Sequence, residues 1–285
     1  MNTSKYYIAA LVGAIVLVPS LTASSRAQKY SDWSAPINLG PIVNSTSADR
    51  GPAISKDGLS LYFALTRPVV GFGGEDDGER DGPGVLALWP LTVFASNRLG
   101  GVGGVDIWVS RREHTHDDFA WQPAENLGAG VNSTSTDAGP SYFDNDEVGV
   151  PQLYFNSNRL NGSGSIYVSE QAADGSFGPA VLVLELSLGD GNRASIRHDG
   201  REIFFTSTRP ASIANSADLW VATRETVFDA WSEPINLGST VNGELIDVQP
   251  YISADRETLF FASTRPGGFG STDLYMSTRT KLSGK

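Results

Sequence analysis

Arg98, Arg159, Arg209 and Arg265 each end a strand-like segment, and Asp106, Asp218 and Asp273 each open the segment that follows. A guanidinium and a carboxylate flanking a short loop can ion-pair, or can together grip a polar or ionic ligand. Four such sets on one face would make a polar binding mouth; equally, each pair could do no more than pin its own loop. Asp49, Asp137 and Asp247, each shortly before a Pro, either join these sets or simply start a strand. Imidazole chemistry is restricted to His114, His116 and His198, and the first two, with Asp117 and Asp118 after them, have only a weak metal-ligand spacing. The chain contains no Gly-x-Ser-x-Gly elbow, no His-Glu-x-x-His helix and no phosphate-cradling loop. No two carboxylates are spaced for acid–base hydrolysis of a glycoside, so the residues favour binding over catalysis.

A second candidate is the run Glu75, Asp76, Asp77, Glu79 and Asp81, five carboxylates in seven positions between Gly74 and Gly82. Such a loop could wrap Ca²⁺, which takes six to eight oxygen ligands, though the order is not that of an EF-hand. The competing reading is a solvated loop of mutually repelling charges. Apart from this possible calcium ion, the sequence implies no cofactor. Trp89, in the same region, could stack on a sugar or pack on Val85, Leu86, Leu88 and Leu91.

The elements that must hold these residues repeat. Trp33-Ser34-Ala35-Pro36-Ile37-Asn38-Leu39-Gly40 returns from Trp121 and from Trp231, with a weaker copy from Phe177. Trp121 to Phe177 is 56 residues and Phe177 to Trp231 is 54, whereas Trp33 to Trp121 is 88, so the first unit carries an insertion. Its source is visible: Phe63-Ala64-Leu65-Thr66-Arg67 and Phe94-Ala95-Ser96-Asn97-Arg98 are offset copies of one strand end, which assigns residues 67–97 to a partial duplication. Within each unit, period-2 alternation bounded by turns such as Asp57-Gly58 and Asp199-Gly200 predicts half-buried strands. Leu61-Tyr62-Phe63, Leu153-Tyr154-Phe155 and Ile203-Phe204-Phe205 occupy one place; Asp106-Ile107-Trp108, Ser165-Ile166-Tyr167 and Asp218-Leu219-Trp220 occupy another. The Trp33, Trp121 and Trp231 rings, recurring at unit spacing, read as packing anchors.

Three strands plus the Trp-led segment make four per unit, and four-stranded units repeated without helices predict an all-β fold, a β-propeller. Residues 31–40 supply an outer strand with no blade before it, and the last unit lacks one, so the N-terminal strand completes the final blade. The expected blades are 48–128, 136–186, 191–238, and 245–280 with 31–40. Five blades, an open ring, or an open stack or sandwich stay as alternatives.

The turn Ser-x-Asp-Gly, then Leu-Tyr-Phe-x-Ser-x-Arg and Asp-Ile-Trp-Val-Ser, resembles the WD-like, Pro-Asp-Gly type repeat of the TolB-like propellers over nearly the whole chain after residue 27. The second unit, with Phe143-Asp144-Asn145-Asp146-Glu147, departs most. The resemblance implies the fold strongly and the function weakly, because that family spans periplasmic interaction proteins, peptidase-associated propellers and polysaccharide-active enzymes.

Composition agrees with a single packed domain over residues 28–285: 40% of residues are hydrophobic, with 31 Gly and 15 Pro. Lys5, the apolar run Tyr6–Val18 and the small residues after it predict a signal peptide over 1–27, too short to span a membrane. The expected location is therefore periplasmic or extracellular, with no membrane span after cleavage. Residues 1–27 carry Lys5 and Arg26 and no acid, so cleavage makes the formal charge of -11 more negative still. Such a surface disfavours nucleic acid. With no cysteine there is no disulfide, thiolate metal site or catalytic thiol. The expectation is an exported, monomeric, non-catalytic binding or assembly module for a protein or glycan partner, with a polysaccharide hydrolase or lyase as the alternative.

Overall fold

The structure, a computed structural model, describes residues 30–54, 61–65, 91–111, 122–144, 150–160, 162–188 and 190–282. In chain order the strands are β1 (Ile37–Asn38), β2 (Asp49–Ile54), β3 (Leu61–Leu65), β4 (Leu91–Ser96), β5 (Asp106–Arg111) and β6 (Glu125–Asn126). Then come β7 (Asp137–Phe143), β8 (Gln152–Ser157), β9 (Ser165–Glu170) and β10 (Val181–Leu182), followed by the one-turn helix α1 (Leu184–Ser187). The rest is β11 (Gly191–Ile196), β12 (Glu202–Ser207), β13 (Asp218–Thr223), β14 (Ile235–Asn236), β15 (Asp247–Ile252), β16 (Thr258–Ser263) and β17 (Asp273–Thr278).

These strands form a four-bladed β-propeller. The second, third and fourth blades are complete four-stranded antiparallel sheets, β7-β8-β9-β10, β11-β12-β13-β14 and β15-β16-β17-β1. The first quarter consists of two part-sheets, β2-β3 and β4-β5-β6. Phe63–Leu65 and Phe94–Ser96, the described strand residues of the two similar segments, lie in β3, paired with β2, and in β4, paired with β5. The part-sheets reach opposite neighbours: β2 packs on β15, β16 and β17, while β4 and β5 pack on β7.

Closure is direct. Ile37 pairs with Met276 and Asn38 with Tyr275, and the N-terminal segment adds backbone bonds from Ser34 N to Thr278 O (2.7 Å) and from Ser31 N to Thr280 O (2.9 Å). One backbone bond recurs at four junctions. The N–H that opens an inner strand donates to the residue before the neighbouring third strand: Asp137 to Val105 O (2.8 Å), Gly191 to Gly164 O (2.9 Å), Asp247 to Ala217 O (2.8 Å) and Asp49 to Thr272 O (2.8 Å). The fourth of these crosses the seam, so the last blade meets β2 as the others meet their neighbours.

The core lies between blades. Ile203 and Phe205 pack toward the second blade with Tyr154, Ile166 and Trp231, while the intervening Phe204 packs the other way with Leu259, Phe261 and Tyr275. A third layer joins Val93, Ile107 and Val109 to Leu153 and Phe155. The second strands β8 and β12 are therefore buried on both faces, not half-buried as the alternation suggests, because each lies between two neighbouring blades. Trp33 meets Phe204 edge-on at 6.0 Å and Trp231 meets Tyr154 at 6.4 Å, so these outer rings seal one blade against the previous one.

Candidate functional site at the axial mouth

The inner strands β2, β7, β11 and β15 share a local fault that shapes the axis. Each slips register by a bulge two residues in, after Arg50, Ala138, Asn192 and Val248. Each of these bulges holds one residue in the left-handed region, as the glycine-favouring type of bulge does: Gly51 (φ 59), Gly139 (φ 58), Arg193 (φ 49) and Gln249 (φ 57). Glycine adopts this conformation without a Cβ penalty; Arg and Gln do not. Two of the four units therefore place a long polar side chain where glycine is the easier choice.

Around these bulges opens a cavity of about 670 Å³, at the blade ends where first strands begin and second strands finish. Its described lining includes Arg50, Asn156, Asn192, Arg193, Thr206 and Gln249. Gln249 acts as a brace: its Oε1 accepts the Gly51 N–H at 2.6 Å, and its own N–H donates to Thr206 Oγ1 at 3.0 Å, tying the last blade to β2 and to the third. Asn156 Oδ1 is buried and meets no hydrogen-bond donor among the described residues. Asp190 is the single carboxylate among the described lining residues, and it accepts from Asn192 Nδ2 (2.9 Å) and Thr208 Oγ1 (3.2 Å).

The third blade breaks the repeat at this spot. Asp137 and Asp247 sit opposite Ser157 and Ser263, but opposite Ser207 stands Gly191. A Cβ there would lie 2.5 Å from Leu186 O, so α1 crowds out any side chain. The acid appears one residue earlier, as Asp190, at the cavity.

The residues singled out in the sequence sit at the same end of the blades but are consumed by structure. Arg159 and Arg265 pair not with a third-strand Asp across the loop but with Asp137 (2.7 Å) and Asp247 (2.6 Å), the openings of their own first strands. The strand register accounts for this, since each Arg stands two residues past the Ser paired with that Asp. Arg265 also donates to Val241 O (2.8 Å) and stacks over Phe261 and Tyr275, and Arg159 stacks over Phe155 and Tyr167. Arg209, facing Gly191, has no such carboxylate; it donates to Leu186 O (2.8 Å) and stacks on Phe205 and Trp220, and burial pulls its pKa down. Arg98 is exposed, bonded to Ser96 Oγ (3.0 Å) and stacked on Phe94 and Trp108.

The third-strand acids hold their own loops. Asp106 accepts Val102 N–H and Gly103 N–H (3.0 Å); Asp273 accepts Phe269 N–H (2.6 Å) and Gly270 N–H (3.1 Å). Gly268 is required by this approach, because a Cβ would fall 1.6 Å from Asp273 Oδ2. Asp218 accepts Ile213 N–H (2.6 Å) and Asn236 Nδ2 (2.7 Å), and burial pushes its carboxyl pKa up.

A second device is absent from the sequence-based expectations. In three blades an Asn six residues after the outer-strand Asn clasps the third strand: Asn44 on Leu274, Asn132 on Ile107, Asn242 on Leu219, each taking the backbone N–H and giving back to the C=O. Ser187 does this for Ile166 in the second blade. The signal was present in Asn-Leu-Gly-x₂-Val-Asn.

Glu75, Asp76, Asp77, Glu79, Asp81, Trp89, Trp121, His114 and His116 lie outside the described residues. His198 is exposed at the opposite end, in the β11–β12 turn. Among the described residues no group of three or more His, Asp or Glu could hold a metal ion, and no helix is long and apolar enough to cross a membrane. At that opposite end a second cavity of about 690 Å³ lies along the seam. Its charges are mutually engaged: Glu202 accepts from Arg197 (2.6 Å) and Arg279 (2.6 Å), and Arg279 stacks on Tyr30 and Trp33.

No family model and no curated protein matches the chain. Among solved structures it is similar to an α-L-arabinofuranosidase from Podospora anserina, with 8% identity, TM-score 0.47, and 89% of this chain and 98% of that one covered. It is also similar to an endo-arabinase from Bacteroides thetaiotaomicron (16% identity, TM-score 0.45, 85% and 99% covered). A putative TolB from Agrobacterium tumefaciens matches at 12% identity and TM-score 0.40, with 89% and 70% covered. At these values the likeness says nothing of activity, and the propeller rests on its own strand pairing.

Proposed function

We propose that this chain is an exported, monomeric, non-catalytic binding module that receives a protein or glycan partner at its axial mouth. The observation that carries the reading is the division of labour among charged groups. The repeated acids Asp106, Asp137, Asp218, Asp247 and Asp273 are buried and bonded within the blades, while the described cavity lining consists mainly of amides, hydroxyls and two guanidiniums around one carboxylate. Hydrolysis by paired carboxylates needs an acid and a base flanking the bond. The described lining supplies amide and hydroxyl hydrogen-bonding capacity instead, which suits recognition.

The test is a binding screen of the purified chain against oligosaccharides and peptides, repeated with Thr208→Trp, which fills the mouth from an exposed lining position. Binding that is lost in Thr208→Trp agrees with the reading. Release of product from a polysaccharide, abolished by Asp190→Asn, would replace it with the hydrolase or lyase alternative.

A further inference from the structure

We infer that the first quarter of the ring exchanges strands: β2, paired with β3 in this structure, also pairs with β4, which makes β2-β4-β5-β6 a fourth regular blade and releases β3. A charge pair that recurs elsewhere is parted here. In the second and fourth blades the Asp that opens the inner strand stands opposite a Ser of the second strand, and the Arg two residues beyond that Ser pairs with it: Arg159 with Asp137 (2.7 Å) and Arg265 with Asp247 (2.6 Å). The first quarter has the same three residues on two different sheets. Asp49 opens β2, while Ser96 ends β4 with Arg98 two residues beyond it. Asp49 is fully buried, yet among the described residues it accepts only from Ser45, through N–H (2.5 Å) and Oγ (3.2 Å). A buried carboxylate without a cation is costly, and Arg98 stands exposed with no carboxylate partner among those residues.

Each half already has the shape of its counterparts. The Ser45 N–H binds Asp49 Oδ2 as the Ser133 N–H binds that of Asp137 (2.6 Å) and the Gly243 N–H that of Asp247 (2.6 Å); in those two blades Oδ1 takes the guanidinium. Arg98 Nε donates to Ser96 Oγ (3.0 Å), as Arg159 does to Ser157 (2.8 Å) and Arg265 to Ser263 (2.8 Å). Its guanidinium lies over Phe94 and Trp108, as theirs lie over Phe155 and Tyr167 and over Phe261 and Tyr275. β3 matches Asp49 less well. It sets Leu65 opposite Asp49, so two residues before Arg67 stands a leucine, where Arg98, Arg159 and Arg265 have a serine.

The neighbouring blades hold places for both partners. β15 has β11, β12 and β13 packed on it, and β2 meets β15, β16 and β17 in the same manner. β7 meets β4 and β5 as β15 meets β12 and β13, but β2 is not packed beside β7 as β11 is beside β15. Phe94 and Ser96 are half-buried, whereas Phe155, Phe205 and Phe261, and Ser157, Ser207 and Ser263, are buried at the same positions. Exchange therefore joins two strands that already stand in their blade places, and two such arrangements of one sequence are what a bistable element requires. It also draws β2 toward β7, and since Arg50 and Ala138 on those strands line the axial cavity, the exchange narrows the mouth.

Paired thiols in the full chain, which has no cysteine of its own, test this. Ala53 is opposite Tyr62 in the observed register, and the register of β7 on β8 carried to β2 on β4 sets it opposite Val93. Directly opposed strand residues lie within disulfide reach. A first variant, Ala53→Cys with Tyr62→Cys, and a second, Ala53→Cys with Val93→Cys, are equilibrated in a glutathione redox buffer, and the intramolecular bond is read by peptide mass. The expected result is a bond in both variants, with Arg98→Gln weakening that of the second at least about tenfold, as loss of a buried charge-assisted hydrogen bond does, and leaving the first unweakened. A second pair that stays reduced overturns the inference, as does one indifferent to Arg98→Gln or one weakened no more than the first. If the second variant does not fold, deletion of residues 61–91 decides, because it leaves β4 as the sole second strand for β2 with the turn length unchanged. A cooperative melt no lower than that of the full chain, and lowered by several degrees in Arg98→Gln, bears the inference out. A deleted chain that fails to fold, melts lower than the full chain, or is untouched by Arg98→Gln overturns it.

Discussion

Asn44→Ala removes one clasp at the seam of the ring. Asn44 is buried and makes three bonds: Nδ2 to Leu274 O (3.0 Å) and to Asn38 Oδ1 (2.9 Å), and Oδ1 from Leu274 N–H (2.7 Å). Two of the three partners keep another bond, because Leu274 O still accepts Leu39 N–H (3.1 Å) and Asn38 Oδ1 still accepts Gly40 N–H (2.8 Å). The Leu274 N–H is left without an acceptor in a fully buried residue. An orphaned buried donor costs roughly 1–3 kcal/mol and each replaceable bond about 0.5–1, which gives about 3 kcal/mol. That is a large share of a stability of about 5–15 kcal/mol. With a urea m-value of about 3 kcal/mol/M the midpoint moves by about 1 M. Asn242→Ala, which breaks the same three bonds inside the third blade, is the control and should shift the midpoint equally. If Asn44→Ala moves it by less than a third as much as Asn242→Ala, the seam is not clasped. If neither moves it, the clasp itself is misjudged.

Further expectations use the same geometry. Gly270→Ala puts a Cβ 1.8 Å from Ser47 O and 2.7 Å from Ser45 O at the seam, whereas at Gly130 the nearest atom is 3.9 Å away. The first change should cost about 1–3 kcal/mol by forced backbone movement and the second little, as read by denaturant midpoints. At acid pH, burial raises the Asp199 carboxyl but the bidentate bonds and charge of Arg197 more than offset it, with Arg256 adding to them, so its pKa is lowered on folding. The folded state then holds fewer protons: the stabilisation is complete above the unfolded value near about 3.9 and drains as pH falls through the lower folded value. Asp255 is lowered in the same sense by Ser253 and the Glu257 and Thr258 N–H groups, against its burial. Asp199→Asn should flatten the loss of stability below the ordinary carboxylate range, measured as melting temperature against pH.

Much of the architecture was legible because a blade cannot bury its faces alone, so strand triplets and aromatic anchors must recur. The ring seam was legible too, from an outer strand without a blade at one end and a blade without an outer strand at the other. Burial on both faces of β8 and β12 was not, since Leu153-Tyr154-Phe155 reads as alternation only if one face meets water. The Arg–Asp pairing was half legible: the residues were right for a cluster, but which Asp meets Arg159 depends on strand register rather than sequence distance. The axial residues were hidden because a repeat reveals what recurs and not what departs from it. Arg193 and Gln249 are visible in sequence only as departures, in Asn-Arg-Ala and Val-Gln-Pro against Arg-Gly-Pro and Ala-Gly-Pro. A bulge that favours glycine turns such a departure into a clue.

The closed ring that creates the axial mouth can be probed by one covalent bond. The chain has no cysteine, so Ile37→Cys with Met276→Cys introduces a single possible pair at positions that face each other in the β1–β17 register. Directly opposed strand residues have Cα atoms about 4.5–5.5 Å apart, within disulfide range. Under mild oxidation the closed ring predicts near-complete intramolecular cross-linking in the monomer, read by mass and non-reducing mobility, and a higher denaturation midpoint. Free thiols, or only intermolecular dimers, would contradict closure and remove the mouth with it.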